Sequence, residues 1–552
     1  MTRLPILRLL VLLVFLFAIT ATFAPAMRAQ QPVSAVSDVT PLLLPGLGKH
    51  HHPVSTKNPE AQQYFDQGLM LVFGFNRAEA VRSFRRASQL DPASPMPHWG
   101  MALAYGRHMN MDQDMDVEPV KAYAAIQKAL ALIGNGSEKE QLYVRALAER
   151  CSKDENADWQ KLDAAYAAAM TKLAEGYSDD LDALALSLEA RMMAHRYEWF
   201  HEDMAQEGTN GIIREIEDLL RRDPTHPLAN HLHIHILDTG HPELALGSAY
   251  RLGQVAPGLG HLIHMPSHIF FNLGDYELTA RVNSQAAAAD REYMRLVKPG
   301  FTEYTLVYYL HDLHFVSRAR GEQGLFNEAR IAADQLVDFF RPVQDQWPMI
   351  SDYYLPVPML NLLRFQKWDE VLNVPAPDPR RLVWMGFWRY GRTVAFIGKG
   401  QRQQALEEKA KFEDLRGSMP ADTMWMFNKG PDMMSVASLV LEARLAEDSA
   451  SAIEKWKSAV KAQDALAYDE PPPWYYPIRE SLGAALLRAG NATEAEGVFR
   501  ESLHRNPRDP RALFGLMETL KAARKLDAVE WVRQEFADSW KNPDLHLRLE
   551  DF

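Results

Sequence analysis

A single cysteine, Cys151, in 552 residues excludes an intramolecular disulfide, so packing alone must hold the fold. After residue 29 no apolar stretch reaches the roughly 20 residues that cross a bilayer. Strand-like alternation is scarce, and no charge block or low-complexity tract is long enough to imply disorder beyond an N-terminal linker. The chain has no G-x-S-x-G, no phosphate-cradling glycine run and no C-x-x-C, which removes the usual serine-hydrolase, nucleotide and thiol-redox signatures. His201-Glu202 begins like the zinc-protease H-E-x-x-H, but Ala205 stands where the second histidine belongs. Net charge is −12. That sign argues against nucleic acid or an anionic membrane surface as partner.

What the N-terminus does have is the layout of a secretory signal. Arg3 and Arg8 precede an apolar run from Leu9 to Ala24, and small residues follow in Ala24-Pro25-Ala26 and Arg28-Ala29. Residues 1–29 are therefore expected to be removed on export to the periplasm or the extracellular side of a bacterial envelope, with a retained anchor as the alternative. They hold three arginines and no acids, so the remainder carries −15. The rest of the chain exceeds what one compact core usually holds, and several domains or a solenoid are expected.

Helical periodicity dominates, and its register repeats. Tyr64, Gly68, Ala80, Phe84, Ala87 and Pro92 fall at the spacing of an aromatic, a small residue, three further packing positions and a helix-ending proline. Leu482-Gly483, Gly490, Ala495, Phe499 and Asn506-Pro507 reproduce that spacing near the other end. This resembles the tetratricopeptide (TPR) repeat of 34 residues. Looser units begin near Pro95, after Asp223-Pro224, around Gly274-Asp275-Tyr276 and from His311 to Gly324, with weaker ones at Trp368 and Gly400. The resemblance implies an all-α, right-handed superhelical solenoid of antiparallel helix pairs. Proline and glycine accumulate at 30–56, Pro342–Pro358, Pro375–Pro379 and Asp469–Pro473. The expected organisation is a signal (1–29), a linker (30–56), an N-terminal solenoid (57–345), central helical repeats (346–470) and a C-terminal TPR pair (471–552).

Histidine is distributed unevenly over this regular frame. Of 19 histidines, 17 lie between His50 and His314, and eight of those lie in 226–268, so the repeat itself does not demand them. His231/His235 and His264/His268 are H-x-x-x-H pairs 33 residues apart, each pair sharing one helix face. In TPR register His261, His264 and His268 fall at concave positions, as do His311 and His314 of the next unit. All seven are expected to line one stretch of groove, with His231, His235, His264 and His268 near a single coordination sphere. An all-imidazole set suits zinc, copper, iron or nickel, and ligand type alone does not choose. Asp238, Glu243 and Asp312 are candidate orienting carboxylates. His50-His51-His52 reads first as a solvated triplet, with a metal-binding tail or a strand folded back into the groove as sharper alternatives.

The sequence around these histidines resembles bacterial exported TPR proteins with a histidine-rich middle region, a family that supplies no established reaction. Two functions remain open. One is an exported scaffold binding a protein or peptide in its concave groove, with Tyr304, Tyr308 and Tyr309 as contact residues and a metal site beside them. The other is a metal-dependent oxidoreductase or hydrolase built on the histidine cluster, which requires an open coordination position.

Overall fold

Asn58 starts the first helix: its side chain accepts from the backbone N–H groups of Glu60 and Ala61, and Pro59 takes the first helical position. The computed structural model describes residues 40–110, 117–154, 156–201 and 204–552. The expected signal segment and linker residues 30–39 lie outside that range. Pro59–Phe73 and Arg77–Leu90 form the first antiparallel pair, joined by Gly74, Phe75 and Asn76. Helices continue in this manner to Leu526–Ser539. Among the described residues the strands are two short antiparallel ladders, Phe200–His201 with Met204–Ala205 and Met424–Trp425 with Asn428–Lys429. The protein is an all-α solenoid of helix pairs.

The repeat register has a steric cause. The ring of Phe84 fills the space between Gly68 and Gly100, and a Cβ would lie 2.7 Å from it at Gly68 and 2.5 Å at Gly100. Phe499 sits in the same way between Gly483 and Gly515, where a Cβ on Gly483 would meet the ring at 2.6 Å. Both phenylalanines are fully buried. Each pins two helices of its own unit to the first helix of the next.

Asp38–Phe552 is a single compact unit with two large apolar cores, one running from Leu47 to Tyr308 and one from Ala287 to Phe552. They meet at the helix Tyr276–Val297, which gives Tyr293 to the first and Ala287 to the second, and at the turn Tyr304–Tyr308, which gives Tyr304 and Tyr308 to the first and Leu306 to the second. The C-terminal repeats fold back onto the middle of the solenoid. Gly274, with φ of +74°, lies against the Pro507 carbonyl, and Gly324, with φ of +77°, lies against the Trp540 ring. In both places a Cβ has no room, and the left-handed backbone favours glycine as well. Arg364 forks onto Glu480 at 2.7 and 2.8 Å and reaches Glu322 at 3.2 Å, all three buried.

The described part of the linker is an ordered strap rather than a solvated segment. Tyr64 Oη donates to the Pro41 carbonyl at 2.8 Å, Gln67 to the Leu42 carbonyl at 2.8 Å, and Gly258 N–H to the Gly46 carbonyl at 2.8 Å. Its histidine triplet therefore splits. His51 stays outside and pairs with Asp66 at 2.8 Å. His50 and His52 turn inward to Asp182, which His50 Nε2 reaches at 2.9 Å and His52 Nδ1 at 2.7 Å. His226 Nδ1 accepts from the Ala229 N–H, which leaves Nε2 to donate to the same carboxylate at 3.2 Å. One buried carboxylate thus gathers three imidazole donors, and the solvated reading of the triplet fails because Asp182 lies within reach 130 residues away.

Two measurements follow from these contacts. Replacing Phe84 by alanine should destabilise the protein by about 3–5 kcal/mol, the cost of emptying a fully buried aromatic site, and urea unfolding measures it. The strap should be pH-sensitive. Burial disfavours charge on both His50 and Asp182, but their hydrogen bonds and mutual attraction outweigh it, so His50 titrates above its usual 6.5 and Asp182 well below its usual 3.8. The Asp182 contribution is present above its unfolded value and lost as pH falls through its depressed one. The His50 contribution is present below about 6.5 and lost as pH rises through its elevated value. Proteolytic nicking of residues 40–56 should be slowest between these limits and faster at pH 8.5, and Asp182→Asn should remove the difference.

Candidate metal centre

His231 and His235 lie on the helix Pro227–Leu237, which Pro227 opens and His226 caps. His261 and His264 lie on Gly260–His264, and His268 lies on Pro266–Asn272 just beyond it. The proline at the junction does not disturb the i, i+4 spacing. His311 and His314 belong to Tyr309–Glu322, which follows a π-helical turn, Tyr304–Tyr308. Such wide turns recur at functional sites. Here the turn places the Tyr308 ring 4.7 Å from that of His261 and the Tyr304 hydroxyl 3.3 Å from the His261 backbone nitrogen.

The seven predicted residues come together, but not around one point. His231, His235 and His261 form one triad, and His264, His268 and His311 form another, with the ligand atoms of each triad within 4.8 Å of one another. His261 and His264 stack between them with ring centres 5.8 Å apart. The expected single sphere of two helical pairs is corrected in this respect: each pair recruits its third histidine from elsewhere. His314 stands apart against Tyr353 and Tyr354, with ring centres at 5.4 and 5.9 Å.

The surroundings are interior rather than an open groove. His231, His235, His261, His264 and His268 are between 0% and 5% exposed, and His311 and His314 are half-buried. Tyr304, Tyr308 and Tyr309 are buried too, so they are packing residues and not the surface contacts expected. Burial is the largest influence on every one of these imidazoles. It lowers His264 to about 4 and His231 and His314 to about 3, and it carries His235, His261 and His311 well below 6.5. His268 is lowered as well, although the Glu470 carboxylate pulls the other way. Burial thus biases all seven toward the neutral form.

Neutral imidazole has one donor and one acceptor, and the network assigns both in the second triad. Asn283 Nδ2 donates to the Thr279 carbonyl at 2.8 Å, which turns its oxygen toward His264 Nδ1 at 2.6 Å. His264 Nδ1 must therefore carry the proton, and Asp312 Oδ1 at 3.2 Å supports it. His268 Nδ1 lies against Glu470 Oε2 and must carry its proton in turn. The two Nε2 lone pairs then face each other at 2.8 Å. Two acceptors at that distance repel unless a cation lies between them. The carboxylate–imidazole anchor on the far nitrogen is the usual outer partner of a metal-binding histidine.

The first triad is less constrained. His231 Nδ1 donates to the Phe73 carbonyl at 2.8 Å, so its Nε2 is a lone pair, 3.0 Å from His235 Nε2. His235 can donate there, but its Nδ1 then has no partner among the described residues, and neither nitrogen of His261 has one. His233, on the opposite face of the same helix, simply bonds Ser248 Oγ at 3.0 Å and is an ordinary packed histidine.

Of the candidate carboxylates, Asp312 reaches His264, and Asp238 lies with His268 and Glu470 in one potential ligand group. Glu243 instead pairs with His241 at 3.4 Å on the surface. Sequence reasoning missed Glu470, Asn283 and the Phe73 carbonyl. Glu470 lies in the proline-rich segment read only as a boundary, and no local pattern ties it to a histidine 202 positions earlier.

No family model matches the chain, and no curated protein matches it. Among solved structures, yeast Tom70 is similar at 12% identity, covering 87% of this chain and 90% of that one, with a TM-score of 0.29. The human IFIT1 dimer with m7Gppp-AAAA is similar at 11% identity over 80% and 89%, with a TM-score of 0.31. The P58(IPK) TPR domain is similar at 12% over 84% and 99%, with a TM-score of 0.22.

Proposed function

We propose that this chain is an exported TPR-like scaffold that encloses a divalent transition-metal ion, zinc, copper, iron or nickel, at His264, His268 and His311. The observation that carries this reading is the opposition of the His264 and His268 Nε2 lone pairs while both Nδ1 atoms are held by other groups. Export rests on the signal-like layout of residues 1–29. The scaffold's partner is a protein or peptide in the concave groove, apart from the enclosed histidines.

A metal-dependent oxidoreductase or hydrolase is the second reading, and one observation favours it. Three protein ligands leave a coordination position open, and His311 and Glu470 are the least enclosed members of the site.

Protein purified without a histidine tag should contain at least one equivalent of transition metal in elemental analysis, or take one up as cobalt(II) after chelator treatment. His268→Ala and His311→Ala should lose that ion with helicity unchanged. Glu470→Gln should weaken binding about 10–100-fold by releasing the His268 ring. A chain that stays metal-free with cobalt, zinc, nickel and copper would sink the reading.

A further inference from the structure

The second triad does not explain the first. His231, His235 and His261 are as deeply buried as their neighbours, and three of their six ring nitrogens have no partner among the described residues: His235 Nδ1 and both nitrogens of His261. Leaving a buried polar atom unpaired costs about 1–3 kcal/mol each. His108 adds two more unpaired nitrogens beside them. Phe75 lies at the centre of this group, with ring centres 4.7 Å from His231, 4.9 Å from His261 and 5.0 Å from His108. Tyr308 covers His261 from the other side.

The chemistry around the two triads differs in sign. Carboxylates stand against the second: Glu470 on His268 and Asp312 on His264. Around the first, the polar anchor is the neutral Phe73 carbonyl and the ring contacts are aromatic or imidazole, while the nearby acids, Asp290 against Gly260 and Glu303 beside Tyr308, partner none of its ring nitrogens. The charges that act on His108 are the cations of Arg77, Arg150 and Arg196. The ligand group of the first triad contains no carboxylate; a dication held there by neutral imidazoles alone is expensive, and the cost falls steeply as the ion's charge falls. Three neutral imidazoles in an aromatic wall suit a monovalent ion that accepts nitrogen ligands and low coordination number. Copper is the imidazole-binding metal that has such an oxidation state.

We propose that His231, His235 and His261 bind a second ion, copper(I), beside the divalent ion at His264, His268 and His311, so that the solenoid encloses a two-metal centre of mixed charge. The inference rests on the reading of the second triad only for its partner ion. His261 and His264, stacked at 5.8 Å, are the shared wall between the two sites.

The test uses the full chain, stripped of metal and kept free of oxygen. Copper(I) is titrated against a competing chromophoric copper(I) chelator, before and after loading with cobalt(II), whose absorption bands report its own site. Wild-type protein should hold one copper(I) and one cobalt(II) together. His261→Ala should weaken copper(I) more than about tenfold and keep cobalt(II), and His311→Ala should do the reverse. His235→Gln, which keeps most of the side-chain volume, repeats the first arm, and circular dichroism establishes that each variant is folded. Copper(I) that displaces cobalt(II) one for one, or binds His261→Ala and His235→Gln as tightly as wild type, overturns the second site. Failure of cobalt(II) to bind while copper(I) still depends on His261 removes the proposed divalent site and leaves this one standing.

Discussion

A neutral imidazole brings one donor and one acceptor into the interior, and each must find a complement or leave a cost behind. This constraint governs the middle of the molecule. Seven imidazoles lie close together behind helices that admit little water, and their mutual contacts cannot satisfy every nitrogen. Where outside groups fix the protonated side, as Asn283 and Glu470 do, the lone pairs of His264 and His268 are forced together at 2.8 Å. A cation is the simplest body that turns this opposition into attraction. The site's chemistry is thus a consequence of satisfying the backs of the rings first.

Enclosure is what makes that constraint bind, and it comes from the return of the C-terminal repeats. In an open solenoid the concave histidines would meet water and need no other partner. Here Pro507 closes on Gly274, Trp540 closes on Gly324, and Arg364 grips Glu480 across 116 positions. Breaking such a buried ion pair by removing one partner typically costs about 3–5 kcal/mol, because the remaining charge stays buried. The same return carries Glu470 to His268. Closing the solenoid and completing the histidine site are therefore one structural event.

How much of this was legible in the sequence depends on the range of the contact. Gly68 with Phe84, and Gly483 with Phe499, are local pairs whose spacing is a steric record, and both stand in the structure as read. The i, i+4 histidine pairs are local as well, and each pair does share a face, with nitrogens 3.0 and 2.8 Å apart. The error lay in the next step. Equivalent positions on adjacent helices project side by side, and helix axes about 8–10 Å apart keep them from converging on one ion. The third histidine of each triad comes instead from the following unit, one turn earlier in its register: His261 for the first pair and His311 for the second. The Asp182 anchor of His50 and His52 was illegible for a related reason: 130 residues separate the partners, and an aspartate in a helix has many ordinary explanations.

On the proposed reading, one repeat geometry serves two chemistries. Both present three imidazoles from similar helical positions, so the ligands alone would make them equivalent. Their difference lies in what stands behind the rings. Acidic partners at Glu470 and Asp312 let the second triad hold a higher charge, whereas a carbonyl, Phe75 and Tyr308 behind the first favour a lower one. The Phe73 carbonyl, Phe75, Tyr308 and Glu470 come from the first helix hairpin, the π-helical turn and the proline-rich loop, three places where the chain leaves the regular repeat, and Asp312 alone comes from a regular helix, Tyr309–Glu322. The regular helices set the spacing of the imidazoles, and the departures from regularity set the charge each cluster can accept.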